Sequence, residues 1–327
     1  MNLHKAQKYF NWLLVLVMNF MWATQVPVIK LIGARLGPVA IAFVPMILST
    51  LMFLPALWRE TRKRKARLPW EWRDAKHFLL AGFFGLFFLQ FAYTLGSQRT
   101  LAANAGIITL TIPVFVAVAG SFLLDERLNA ARVVGFFLAL FGVLTTSISD
   151  LRGADFRHGS YIAGNVIFLL ACAGCGFYNA YCKLLVTKGY SELEILVYTS
   201  VVGSVASIPL FLWVEPFDFL GFVRAGGVAL WGILELSFIV YGISMLLFFF
   251  VLKRMDVTQA ILGNYLLPFF IALLAVVLLK ESITLSMVLG GVLILLSTLM
   301  VSVYEGDILA WGEEKRMAWK TGRRQQE

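Results

Sequence analysis

The feature that most constrains this chain is a series of apolar blocks, each about 20 residues long and separated by short polar stretches. They fall at roughly 11–32, 37–58, 77–98, 101–123, 132–149, 160–182, 193–213, 229–252, 257–279 and 285–304. About 20 helical residues rise about 30 Å, the thickness of the hydrocarbon core of a bilayer. Inside that layer no water satisfies backbone amides, so spans written this way must be helical. The chain is 60% hydrophobic and 14% charged, against about 25% charged in an ordinary soluble domain. No connection is long enough to hold a soluble catalytic domain. The expected class is all-α, a polytopic membrane protein of about ten spans. Lys5 and Lys8 precede the first block as in a signal peptide. The block is too long for one, and no small-residue cleavage site follows closely. It reads as a retained first span.

The net charge of +9 is not the footprint of a nucleic-acid binder, because the basic residues sit in short connections. About ten spans put both termini on one side. On that side lie 21 of the 28 Lys and Arg residues, with 7 on the other. By the positive-inside rule both termini are expected in the cytoplasm, with the chain in the cell (inner) membrane. Two connections are longer, a basic one at 59–76 and an aromatic one at 214–227. The tail 305–327 is polar, carries Trp311 and Trp319, and is expected at the cytoplasmic surface.

The stretch from Leu101 to Leu144 recurs, without a gap, from Asp256 to Leu299. At an offset of 155 residues, Pro113 matches Pro268, Glu126 matches Glu281 and Gly135 matches Gly290. A weaker echo at an offset of 153 links Lys30 to Lys183. The chain thus divides into halves at 1–152 and 153–304, five helices each. Five is odd, so the second half enters the membrane from the opposite side. Inverted repeats of this kind belong to transporters that alternate between inward-open and outward-open states around a site near the midplane.

WATQVPVIK at the end of the first block is similar to a Trp-Gly-Ser-x-x-x-x-x-Lys pattern, with Ala23 where Gly is usual. PVFVAVAGSFLLDERL and PFFIALLAVVLLKESI, each followed by a Gly-bearing helix, look like a paired repeat signature. On these motifs the chain resembles the EamA branch of the drug/metabolite transporter superfamily. The resemblance implies ten helices, cytoplasmic termini and a central cavity lined by helices one, three, four, six, eight and nine. It implies no cofactor. The partners implied are a small-molecule substrate and membrane lipid; a homodimer is compatible with it.

Polar side chains inside spans are costly, so their positions point to function. In helix one Asn19, Trp22 and Gln25 form a stripe; in helix three Gln90, Tyr93 and Ser97 share a face. Tyr178 and Asn179 occupy the equivalent place in helix six, and Ser237, Tyr241 and Ser244 stack in helix eight. Pro113 and Pro268 free the carbonyls of Thr109 and Asn264, a repeat-equivalent pair. Asn104 and Gln259 are equivalent as well. A freed carbonyl beside a polar side chain suits a solute site or a gating kink. For Thr109 the alternative is local repair by its own hydroxyl; at Asn264, with Tyr265 beside it, the site reading is preferred. The expected cavity is therefore Trp22, Gln25, Gln90, Tyr93, Asn104, Thr109, Tyr178, Asn179, Tyr241, Asn264 and Tyr265, with Pro113 and Pro268 as kinks.

Counting back about 20 residues from Lys253 puts Glu235 near the outer boundary, solvated. Lys30 and Lys183 fall at span ends and can snorkel. Glu126 and Glu281 are expected in turn structure. With no carboxylate expected deep in a span, a neutral, zwitterionic or amphipathic solute fits better than a strongly cationic one. Basic residues for a nucleotide sugar's phosphates are absent at depth. Cys172, Cys175 and Cys182 share one apolar block without His or carboxylate nearby, and read as small packing residues rather than a metal or redox site. Neither a membrane-embedded enzyme nor a non-transporting sensor is favoured. The former lacks paired carboxylates or a metal motif, and the latter has no need of an inverted repeat.

Overall fold

The computed structural model describes residues 3–64, 72–123, 130–146, 161–216, 218–252 and 264–302. Glu126, Gln259, the tail 305–327 and the side chain of Asn264 lie outside the described residues. Among the described residues every regular element is helical. α1 (Leu3–Ala23) and α2 (Gln25–Ile32) form one rod, followed by α3 (Pro38–Arg64). α4 (Trp72–Leu80) runs through a π-helical stretch, Ala81–Phe87, into α5 (Phe88–Arg99). Then come α6 (Ala102–Thr109), α7 (Ile112–Leu123) and α8 (Ala130–Thr146). α9 (Tyr161–Thr187) precedes α10 (Glu192–Pro209), a π turn at Leu210–Val214 and the short α11 (Phe219–Arg224). α12 (Gly227–Leu234) continues through a second long π stretch, Glu235–Ile243, into α13 (Ser244–Leu252). A 3-10 turn, Asn264–Leu266, opens α14 (Leu267–Leu279), and α15 (Leu285–Ser302) follows.

Among the described residues six rods are long and apolar enough to cross a membrane: Tyr9–Ile32, Pro38–Arg62, Asp74–Arg99, Tyr161–Thr187, Glu192–Val214 and Gly227–Phe248. The pair α6–α7, bent by 41° at its break, makes a seventh if it counts as one span. Three shorter apolar helices, Val133–Thr146, Leu267–Leu279 and Leu285–Met300, coincide with the remaining blocks. Phe122, Phe137, Leu144 and Trp213 are large, apolar and exposed, as on a surface solvated by lipid.

Lipid removes the hydrophobic force between helices, so they are held by close approach and by hydrogen bonds between them. α9 packs on α5 and α7, and α10 on α3 and the Ala81–Phe87 stretch. α1 packs on α13 and α14, α3 on the Glu235–Ile243 stretch, α6 on α14, and α8 on α15. At the α8–α15 crossing a Cβ on Gly290 would lie 2.6 Å from the carbonyl oxygen of Gly142. Beside it, Ser297 donates to Gly135 O at 2.6 Å. Exposed amides at helix starts are answered by carboxylates from distant parts of the chain. Glu215 accepts from Val39 N and Ala40 N at 2.9 and 3.0 Å. Glu281 accepts from Ala102 N and Ala103 N at 2.9 and 3.0 Å. α10 starts with a local capping box, in which Ser191 Oγ accepts from Glu194 N and Glu194 Oε2 from Ser191 N.

Gly290→Leu is expected to destabilise the protein by about 1–3 kcal/mol through overpacking, seen as a lower unfolding temperature in detergent. Gly227→Ala is the control, because a Cβ there meets nothing within 4 Å. An unchanged midpoint for Gly290→Leu would remove the crossing from the account.

Candidate functional site

Helix one is loosened where it meets the site. Pro27 has no amide proton, so the carbonyl of Ala23 loses its helical donor. The amide of Thr24 is held at 3.3 Å by both Phe20 O and Met21 O, and the Thr24 hydroxyl turns back to Met21 O at 2.7 Å. Gln25 follows this break. Its Nε2 donates to the Tyr241 hydroxyl at 2.8 Å, and that hydroxyl donates to Gln90 Oε1 at 2.9 Å. Three residues expected in the cavity, from the first, third and eighth blocks, are thus joined in one chain of hydrogen bonds. Gln90 is buried. Thr94 and Ser97, further along the same face of α5, are fully buried. Their hydroxyls have no hydrogen-bond partner among the described residues, and neither has the buried Tyr265 hydroxyl.

The π stretches aim this group. Wider turns of this kind break the 3.6-residue register and cluster at functional sites. Within its expected stripe, Tyr241 on Glu235–Ile243 is the member that bonds to Gln25 and Gln90. Ser237 and Ser244 bond their own backbone instead, at Ile233 O and Val240 O. Trp22 packs on the cluster of Ile233, Leu236 and Val240 beside Tyr241, its ring 5.6 Å from that of Phe248. The Tyr93 ring lies 4.7 Å from Phe168 and touches both central apolar clusters.

Other expected site residues lie elsewhere. The Tyr178 hydroxyl meets Thr199 Oγ1 at 3.1 Å among Phe43 and Leu86. Asn179 is exposed and donates to Cys175 O at 2.8 Å, so it does not join the Gln25 group. Asn104 is fully buried on α6. The Thr109 hydroxyl is used locally, donating at 2.6 Å to Gly106 O, whose helical donor Leu110 N has turned to Ile107 O; it does not answer the carbonyl that Pro113 frees. The break before Pro113 is bonded from neighbouring helices. Cys172 Sγ reaches Ile108 O at 3.7 Å, and Thr298 Oγ1 donates to Leu110 O at 2.5 Å. Pro268 sits in the first turn of α14, where its missing amide costs little.

Two features escaped the sequence. Lys30 is paired rather than snorkelling: its Nζ lies 3.4 Å from Glu281 Oε1 and donates to Thr100 O. This ties α2 to the connection that follows α14 and to the α5–α6 junction. Glu235 is buried, with only 9% of its surface exposed, instead of solvated at the boundary. The counted span was too short: Gly226, at φ +88, turns the chain so that α12 starts at Gly227. Glu235 therefore lies about eight residues, roughly 12 Å, into the span. Thr24 Oγ1 donates to its Oε1. A groove of about 460 Å³, lined by Leu16, Val17, Phe20, Met21, Thr24, Ile239 and Phe270, runs along α1.

Tyr241→Phe removes both bonds of the central chain. A loss of about 1–2 kcal/mol is expected, in line with hydrogen bonds between membrane helices. A double-mutant cycle with Gln25→Ala, read by thermal unfolding, is expected to show a coupling of about 0.6 kcal/mol or more. Full additivity would mean that the chain contributes nothing.

Residues 10–148 and 162–303 match the EamA-like transporter family. The uncharacterized transporter YoaV of Bacillus subtilis is 23% identical over 62% of this chain, which spans 66% of YoaV's length. A probable terminal-alkyne amino-acid exporter of Streptantibioticus cattleyicolor is 24% identical, over 60% of this chain and 62% of the exporter. An S-adenosylmethionine uptake transporter of Rickettsia felis is 24% identical, over 88% of this chain and 90% of its own. A solved structure titled "Crystal structure of protein" shares the fold at a TM-score of 0.57 and 19% identity, over 92% of this chain and 99% of the other. Matched in both halves, the chain belongs to the EamA-like transporter family.

Proposed function

We propose that this protein is a secondary transporter that exports a small metabolite or xenobiotic across the cell (inner) membrane by alternating access. The observation that carries the proposal is the hydrogen-bonded chain Gln25–Tyr241–Gln90, which joins the two sequence halves through side chains able to exchange their partners for a solute's. The proposed arrangement is ten spans as five plus five inverted, 1–152 and 153–304, with cytoplasmic termini. The pairings of helices support it. Under the repeat, α1 on α13 and α14 corresponds to α9 on α5 and α7. α3 on Glu235–Ile243 corresponds to α10 on Ala81–Phe87, while α6–α14 and α8–α15 correspond to themselves.

The buried Glu235 removes the premise that no carboxylate lies deep in a span, so the preference for a neutral or zwitterionic solute rests on the amide, phenol and indole groups of the site alone. The two relatives with named solutes carry molecules built on an amino acid, one outward and one inward, so amino-acid-like zwitterions are the first class to test. Solute would be bound by Gln25, Gln90 and Tyr241, with Trp22, Tyr93 and Tyr265 as walls. Thr94 and Ser97 offer the unanswered hydroxyls.

Metabolites compared inside and outside cells with and without the protein are expected to identify an amino-acid-like solute. Proteoliposomes are then expected to show its saturable flux, with KM raised about tenfold by Gln90→Ala. In a chain whose native cysteines are replaced by Ala, Gln25→Cys and Gln90→Cys are expected to react with a membrane-impermeant maleimide. Absence of flux for every solute, together with no labelling at either position, would contradict the proposal.

A further inference from the structure

We infer that Glu235 is a proton-binding site that couples the transport cycle to the proton gradient. This deepens the transporter reading and rests on it. Glu235 is nine-tenths buried inside a span. Its Oε1 accepts from Thr24, and its Oε2 has no partner among the described residues. An ionised carboxylate removed from water needs a cation or a proton to offset the loss of solvation. Among the described side chains, the surrounding elements bring no cation to it. α12 and α13 carry no ionisable residue. On α2, Lys30 is committed to Glu281. On α3, Arg59, Glu60 and Arg62 lie in the last two turns. On α1, Tyr9 stands exposed near the start. Tyr241, on the same π stretch, is engaged with Gln25 and Gln90.

The partner of Glu235 is what makes this more than a buried acid. Thr24 is the residue at which helix one breaks, and it immediately precedes Gln25 of the solute group. An ionised Glu235 accepts the Thr24 hydroxyl and ties helix one to helix eight. A protonated Glu235 no longer competes with Met21 O for the one Thr24 hydroxyl proton and can instead donate to Thr24 Oγ1, so protonation re-sorts the hydrogen bonds at the break and reaches Gln25 and Tyr241 through the backbone there. No covalent chemistry is involved; one proton is taken up and later released to the other side.

The test needs no identified solute. Full-length protein in nanodiscs is scanned by infrared difference spectroscopy from roughly pH 5 to pH 9, the range in which buried carboxyl groups titrate. A protonated-carboxyl band that titrates in the native protein and is wholly lost in Glu235→Gln is expected. In parallel, nitroxide pairs at Leu13 and Leu246, both exposed, are expected to give a distance distribution that changes with pH in the native background and not in Glu235→Gln. No titrating band, or the same band in Glu235→Gln, would overturn the assignment. So would a band that moves with sodium at fixed pH instead of with pH. A titrating band with pH-independent distances would overturn it too, reducing Glu235 to a structural acid. None of these results bears on whether solute flux exists, which is read separately.

Discussion

A polar group placed in hydrocarbon has only the protein to bond to, and the unusual features of this structure follow from that constraint. Where α6 gives way to α7, the carbonyls of Gly106, Ile108 and Leu110 accept from the Thr109 hydroxyl, Cys172 and Thr298. Where helices begin, Glu215 and Glu281 reach across from distant sequence to cap bare amides. Spans stay helical because each backbone bond is made within the span. They break where a side chain from another helix can stand in.

The same constraint explains how much was legible. Apolar blocks and the 155-residue repeat are visible because lipid imposes a length and a composition on each span. Gln25, Gln90 and Tyr241 stood out because polar residues inside such blocks are costly, and the structure brings them together. The π stretches were not legible: one extra residue per turn leaves no composition signal. Of the stripe Ser237, Tyr241 and Ser244, all carried into or beside the second stretch, only Tyr241 bonds to other helices, since the two buried serines bond their own backbone. Thr109 looked like a site residue because sequence shows a polar side chain beside a freed carbonyl but not that its hydroxyl is spent on Gly106 O. Asn179 is exposed on α9 and bonds Cys175 O, apart from the Gln25 group. Glu235 was misjudged from a span counted too short, and the pairing of Lys30 with Glu281 lies too far apart in sequence to read.

Strong and weak ties are unequally placed. One end of the bundle is held by the Lys30–Glu281 pair, with Thr100 and Asn165 joined beside it. At the other end Asp74 meets Lys188 at 3.8 Å and the Tyr190 hydroxyl at 2.7 Å. Between them lie the loosened first helix, the phenol of Tyr241 linking two amides, and hydroxyls without partners among the described residues. Rigid ends and a polar centre that can trade its hydrogen bonds suit a carrier that moves packed helices as units.

Alternating access is tested most directly by distances at the two ends of the bundle. Nitroxide pairs at Leu31 with Leu278, near the Lys30–Glu281 end, and at Leu13 with Val186, at the opposite end, all occupy exposed positions. In lipid each pair is expected to show two distances, whose populations shift in opposite senses when solute is added. A single unchanging distance at both ends would contradict the account.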